Sequence, residues 1–145
     1  MSVFIAIDPG KIKCGLLLAD IKSGYVINAG ICQLTKFSDV FSLWNEEYNI
    51  SKIIIGDGTN RKYFENELRL KNILNLIFVN EKGSTLRARF RYWEIWPPNY
   101  FIRWLPKEIL FPPDNLDPIV ALILLEDFLK HTLIWPEDLD IKIWL

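Results

Sequence analysis

Three carboxylates are spaced so that each falls where one predicted element meets the next. Asp8 closes the apolar run Val3-Phe4-Ile5-Ala6-Ile7 and opens the turn Asp8-Pro9-Gly10. Glu81 follows the run Asn75–Asn80, and Asp117 stands before Pro118 at the head of an apolar helix. Carboxylates gathered in one cleft repel each other unless a divalent cation neutralises them, and an all-oxygen donor set suits Mg²⁺ or Mn²⁺. Two such ions about 4 Å apart would activate a water and stabilise the leaving oxygen of a phosphodiester. That chemistry needs no histidine. The single His131 excludes a histidine-based metal site and argues against a Ser-His-Asp triad. Each acid also has a plainer use: Asp8 as a turn residue, Glu81 as a loop acid, Asp117 as a helix N-cap ahead of Pro118.

Cations are candidates for phosphate contact, which supplies affinity without reading sequence. Lys11 and Lys13 lie close to Asp8 in the chain, Lys82 follows Glu81, and Arg87, Arg89 and Arg91 sit on one predicted helix. A solvated helix face is the alternative for the arginines. Asp57, between Gly56 and Gly58, is either a fourth acid, a loop residue facing nucleic acid, or the shaper of a turn. The net charge of −1 conceals an asymmetry: −1 over residues 1–59, +6 over 60–107 and −6 over 108–145. A basic middle beside an acidic end permits a local anion-binding face.

The elements that must position these groups follow from periodicity and turn signals. Three strands, Val3–Ile7, Cys14–Asp20 and Tyr25–Cys32, are joined by connections short enough for an antiparallel meander. Phe37, Val40, Phe41 and Trp44 then recur at helical spacing. A strand over Lys52–Asp57, a helix over Asn60–Lys71, a strand over Asn75–Asn80 and a helix over Ser84–Tyr92 follow. The prolines at 97, 98, 106, 112 and 113 leave no room for a regular element, so residues 96–117 form a long stiffened loop. Its aromatics Trp96, Tyr100, Phe101 and Trp104 are expected to pin it to the core, with stacking on unpaired bases as the alternative. A buried helix opens at Asp117-Pro118 and runs to Leu129, and the tail over 132–145 alternates at its end as an edge strand would. The fold class is α/β, with a five-stranded mixed sheet flanked by helices in a single domain over 1–145.

The order β-β-β-α-β-α-β-α-loop-α resembles the ribonuclease H-like arrangement. In that topology the ends of the first and fifth strands and the start of the last helix converge. Ile5-Ala6-Ile7-Asp8-Pro9-Gly10 with Gly15 beyond it is similar to the first motif of the RuvC/YqgF group of that fold. Ile53-Ile54-Ile55-Gly56 resembles the group's fourth strand. Asn80-Glu81-Lys82-Gly83-Ser84-Thr85-Leu86-Arg87-Ala88-Arg89 resembles the YqgF second motif, with Asn80 where an acid is usual and Lys82-Gly83 in place of Arg-x. Asp117-Pro118-Ile119-Val120-Ala121 resembles the closing helix, with Pro118 where Ala is usual. The loop over 96–117 has no counterpart in that pattern. The resemblance covers about residues 3–130 and implies a metal-dependent nuclease, with Asp8, Glu81 and Asp117 as catalytic residues and ligands of Mg²⁺ or Mn²⁺. The YqgF branch implies processing of the 5′ end of precursor 16S rRNA, and the RuvC branch implies resolution of branched DNA by a dimer. A binding module that keeps the fold without catalysis is the reading from another class.

Composition bounds the rest. Half the residues are apolar, 14% aromatic and 24% charged, which excludes disorder, collagen and coiled coil. A chain of 145 residues buries roughly two thirds of its unfolded surface without disulfides, and Cys14 and Cys32 are expected as free buried thiols. No apolar run spans a bilayer and no basic leader precedes Val3, so a cytoplasmic monomer or homodimer acting on structured RNA or branched DNA, without membrane contact, is expected.

Overall fold

The computed structural model describes residues 1–58, 60–73, 75–106, 109–112 and 115–145. Alternating burial in the first strand sets the architecture. In β1 (Val3–Asp8), Phe4 and Ala6 face one side, while Val3, Ile5 and Ile7 face the other. Both sets are buried, so the sheet is covered twice and its strands read as continuous apolar runs. β2 (Lys13–Asp20) and β3 (Tyr25–Gln33) complete the antiparallel meander, with Asp8 opposite Gly15 and Cys14 opposite Cys32. Both cysteines are free and buried, as expected.

On the Val3–Ile5–Ile7 face lie α1 (Leu34–Glu47) and α2 (Arg61–Leu70), which contribute Phe37, Phe41, Trp44, Phe64 and Leu68. β4 (Ile50–Gly56) and β5 (Leu76–Val79) extend the sheet in parallel beyond β1. The opposite face is covered by α3 (Ser84–Ile95) and α4 (Asp117–Leu129). Residues 118–126 of α4 are all buried. Each large apolar side chain fully buried there contributes roughly 1.5–3 kcal/mol, so α4 anchors the layer that carries Asp117.

Two expectations about elements change. The sheet has six strands in the order β5-β4-β1-β2-β3-β6, because the tail supplies β6 (Lys142–Trp144) parallel to β3. Trp144 meets Trp44 edge-on at 5.5 Å, and that contact holds the tail. Asp117 is also not the cap: Leu116 is the N-cap residue and Asp117 already lies inside the helix. The carboxylate is therefore available for something other than capping.

The loop between α3 and α4 divides. Trp96 packs on Tyr92 and Trp135, and Leu110 is buried and accepts a hydrogen bond from Trp93 Nε1 at 3.3 Å. Tyr100, Phe101 and Trp104, expected against the core, are instead 71%, 78% and 76% exposed. The core on this face is already filled by Trp93, Trp96, Leu110 and Trp135, and the turn at 100–104 projects beyond it. Residues 107, 108, 113 and 114 of the loop, like Thr59 in the turn after β4, lie outside the described residues.

Candidate metal centre

Register and close backbone approach bring the acids to one edge of the sheet. Asp8 ends β1 opposite Gly15 of β2. The missing side chain at Gly15 lets the backbone of Asp117 and Pro118 rest on that strand, where a Cβ would collide with the Asp117 carbonyl. Asp8 and Asp117 thus become neighbours through a glycine. The turn after Asp8 is pinned from α2's side, because Asn60 Nδ2 donates to the Gly10 carbonyl at 2.7 Å.

Glu81 is seated by a different device. A Cβ at Gly56 or at Gly58 would run into the Glu81 carboxylate and little else of consequence, so the two glycines form a slot for it. Asp57 lies between them. Its Oδ1 accepts the Glu81 backbone N–H at 3.3 Å, and its own N–H donates to Val79 at 3.0 Å. The sequence left Asp57 open as a fourth acid, a residue facing nucleic acid or the shaper of a turn. The structure places it in the turn, holding the Glu81 backbone, and adds Asn60, which the sequence did not single out. The paired glycines at the end of a buried strand were the available signal, since such a position suits close approach by another group.

Electrostatics reports how crowded these acids are. Burial, joined by the charges of Glu81 and Asp117, pushes the Asp8 carboxyl up to about 8. At neutral pH Asp8 therefore keeps its proton beside Glu81. Burial and the charge of Asp57 raise Glu81 as well. Asp117 is raised by burial and partly relieved by Lys13, whose Nζ lies 3.8 Å from its Oδ2. Glu81 Oε1 is buried and accepts no hydrogen bond from any described residue. An orphaned carboxylate oxygen beside a carboxyl that ionises only near pH 8 is the environment a hard divalent cation relieves.

The fit is incomplete in one respect. Among the described residues no three His, Cys, Asp or Glu side chains stand together as a finished cation cage. Asp8 and Glu81 meet directly, while Asp117 acts on Asp8 from farther off and leans toward Lys13. An all-oxygen pair suits Mg²⁺ or Mn²⁺, and Asp117 would have to leave Lys13 to join it. An open cleft of about 270 Å³ lies at this edge, lined by Asp8, Gly10, Lys11, Ile12, Lys13 and Asp117.

Other expected residues are placed elsewhere. Lys82 is exposed, and its N–H donates to Asn80 Oδ1 at 2.8 Å, so Asn80 shapes the turn that an acid there would shape equally well. Arg87 makes a paired contact with Asp127 at 2.6 and 2.7 Å. Arg91 is held by Glu126 with two bonds of 3.0 Å and donates to the Leu133 carbonyl at 2.8 Å. Both arginines therefore tie α3 to α4 through carboxylates of α4. The larger hollow of about 550 Å³ between these helices is lined by the same paired charges. Arg89 lies with its guanidinium over the Phe111 ring at 4.3 Å.

No family model matches the chain, and no curated protein matches it in sequence. Among solved structures, the large terminase nuclease from thermophilic phage G20c superposes with a TM-score of 0.54 at 14% identity, covering 87% of this chain and 81% of that one. At that identity the likeness speaks to architecture. With its meander, its parallel extension through β4 and β5 and its helices on both faces, the chain has a ribonuclease H-like α/β fold.

Proposed function

We propose that this protein is a divalent-cation-dependent nuclease that hydrolyses phosphodiester bonds in structured nucleic acid. One observation carries the reading: Asp8 and Glu81 are buried side by side, with a Glu81 oxygen left unpartnered. Asp8 and Glu81 would hold Mg²⁺ or Mn²⁺, with Asp117 completing the set. The bound ion supplies Lewis acidity toward the phosphate and lowers the pKa of a water. Lys11 and Lys13, which line the cleft, would meet the phosphates on either side. The motifs around Asp8, Gly56, Glu81 and Asp117 favour the 5′ end of precursor 16S rRNA as substrate, and branched DNA is the alternative.

Cleavage by the purified protein with Mn²⁺ or Mg²⁺ tests this, using a precursor 16S rRNA 5′ leader and a four-way DNA junction. Metal-dependent cutting lost in Asp8→Asn and in Asp117→Asn is the expected result, and the preferred substrate names the branch. Tight binding without cutting, unaffected by either change, would leave a binding module on a nuclease fold.

A further inference from the structure

The exposed side of the loop between α3 and α4 carries four aromatic rings that the core does not need. Tyr100, Phe101, Trp104 and Phe111 are 71–78% exposed. Isolated exposed apolar residues need no explanation, but several in one short segment mark a surface with a partner.

The rings are held in place. Trp104 Nε1 donates to the Phe101 carbonyl at 2.6 Å, Tyr100 meets Phe101 edge-on, and the backbone N–H groups of Ile102 and Arg103 bond back to Asn99. The loop is anchored at Trp96 before these rings and at Leu110, between Trp104 and Phe111. A rigid aromatic loses little conformational freedom on binding, which favours a preformed platform over a floppy tether.

Chemistry points to the occupant. Arg103 is the one charged residue among the described residues from 96 to 112, and its guanidinium lies over the Tyr100 ring at 4.9 Å. Arg89 lies over Phe111. Exposed rings with guanidinium groups beside them match unpaired nucleotides, whose bases stack and whose phosphates attract cations. The path fits as well. Leu110 sits against Trp93 and Phe111 against Arg89, so the chain runs back along α3 toward its start, just beyond Glu81. Phe111 is six residues before Asp117, which limits their separation to about 20 Å.

We infer that Tyr100, Phe101, Trp104 and Phe111 form a stacking platform for an unpaired strand of nucleic acid leading into the cleft at Asp8 and Asp117. The inference rests on the nuclease reading for its direction toward the cleft, while strand binding can be measured apart from cleavage. Fluorescence anisotropy would follow a labelled 20-nucleotide oligo(U) and oligo(dT), against a blunt duplex of the same length, in EDTA so that no cutting intervenes. Trp104→Ala and Phe111→Ala should each weaken single-strand binding roughly 5- to 100-fold and leave duplex binding little changed. Trp104→Phe should restore most of the affinity, since a ring is what stacking needs. These side chains are exposed, so unchanged thermal unfolding is expected in every variant. Equal single-strand affinity in the wild type and a Tyr100→Ala/Trp104→Ala/Phe111→Ala variant would overturn the platform while leaving the nuclease reading intact. So would a wild-type dimer that Trp104→Ala converts to monomer without loss of strand binding, because the rings would then serve a second copy of the chain. Loss of strand binding in Trp104→Ala, with cleavage absent under all metals, would uphold the platform and reject the nuclease.

Discussion

Asp8 at the end of β1 is a direct neighbour of Glu81, which lies beyond β5 at the far side of β4. Burial together with the Glu81 charge pushes the Asp8 carboxyl up to about 8. The two carboxyls come together there because Gly56, the last residue of β4, and Gly58 just beyond it leave room for the Glu81 side chain to reach across. The properties of this pair can be tested without substrate.

The first test is the pH dependence of stability in metal-free protein. Asp8 keeps its proton up to about pH 8 when folded and loses it near the ordinary value of 3.8 when unfolded. Between those limits the folded state binds more protons, so stability falls as pH rises through the window and the full penalty is present above about 8. Thermal unfolding of the wild type should drop by on the order of 5 °C between pH 5 and pH 8.5 relative to Asp8→Asn. Millimolar Mn²⁺ should reverse the drop in the wild type alone. Parallel curves for the two proteins would sink the claim that Asp8 keeps its proton.

Glycine substitutions separate seating from folding. The atoms nearest a Cβ at Gly58 belong to the movable Glu81 carboxylate, so Gly58→Ala should cut Mn²⁺ affinity roughly 10- to 100-fold with little change in unfolding temperature. Gly15→Ala meets the backbone of Asp117 and should cost about 1–3 kcal/mol of stability. Isothermal titration with Mn²⁺ beside denaturant unfolding reads both. Wild-type Mn²⁺ affinity in Gly58→Ala would dismiss the slot.

Lys13 competes for Asp117 at 3.8 Å and also lines the cleft. Replacing it by Met should strengthen Mn²⁺ binding by up to about fivefold, the range of an exposed ion pair. The same change should lower the salt dependence of nucleic-acid binding by about one unit of slope. Opposite effects on two ligands are the signature to look for; a loss of both would mean that Lys13 supports the turn instead.

The two arginines that join α3 to α4 should differ in weight. Arg91 and Glu126 are 13% and 7% exposed, and Glu126 also accepts the Leu133 N–H at 2.7 Å. Arg91→Met strands a buried carboxylate and should cost about 3–5 kcal/mol in urea unfolding. Arg87 is half exposed, so Arg87→Met should cost about 1 kcal/mol or less. An unchanged salt slope of nucleic-acid binding in Arg87→Met would confirm that this residue is engaged by Asp127 and not by phosphate.

Much of this protein was determined by residues only a few positions apart. Alternation in Val3–Ile7, the helical spacing of Phe37, Val40, Phe41 and Trp44, and the turn at Pro9-Gly10 each declare a local conformation, so the order of strands and helices was legible. So was the placing of Asp8, Glu81 and Asp117 at element ends. What only tertiary structure decided were the matches between distant residues. Glu81 meets Asp8 because Gly56 at the end of β4 and Gly58 just after it leave space, Asp117 leans on Lys13, and Arg87 and Arg91 choose carboxylates on α4 over solvent. The tail becomes a sixth strand because Trp144 finds Trp44, and the rings at 100–104 stay outside because Trp93, Trp96, Leu110 and Trp135 already fill the core beneath them. Periodicity and turn chemistry act within a few residues of backbone. Which side chains share a space depends on how whole elements pack, and no local pattern encodes that.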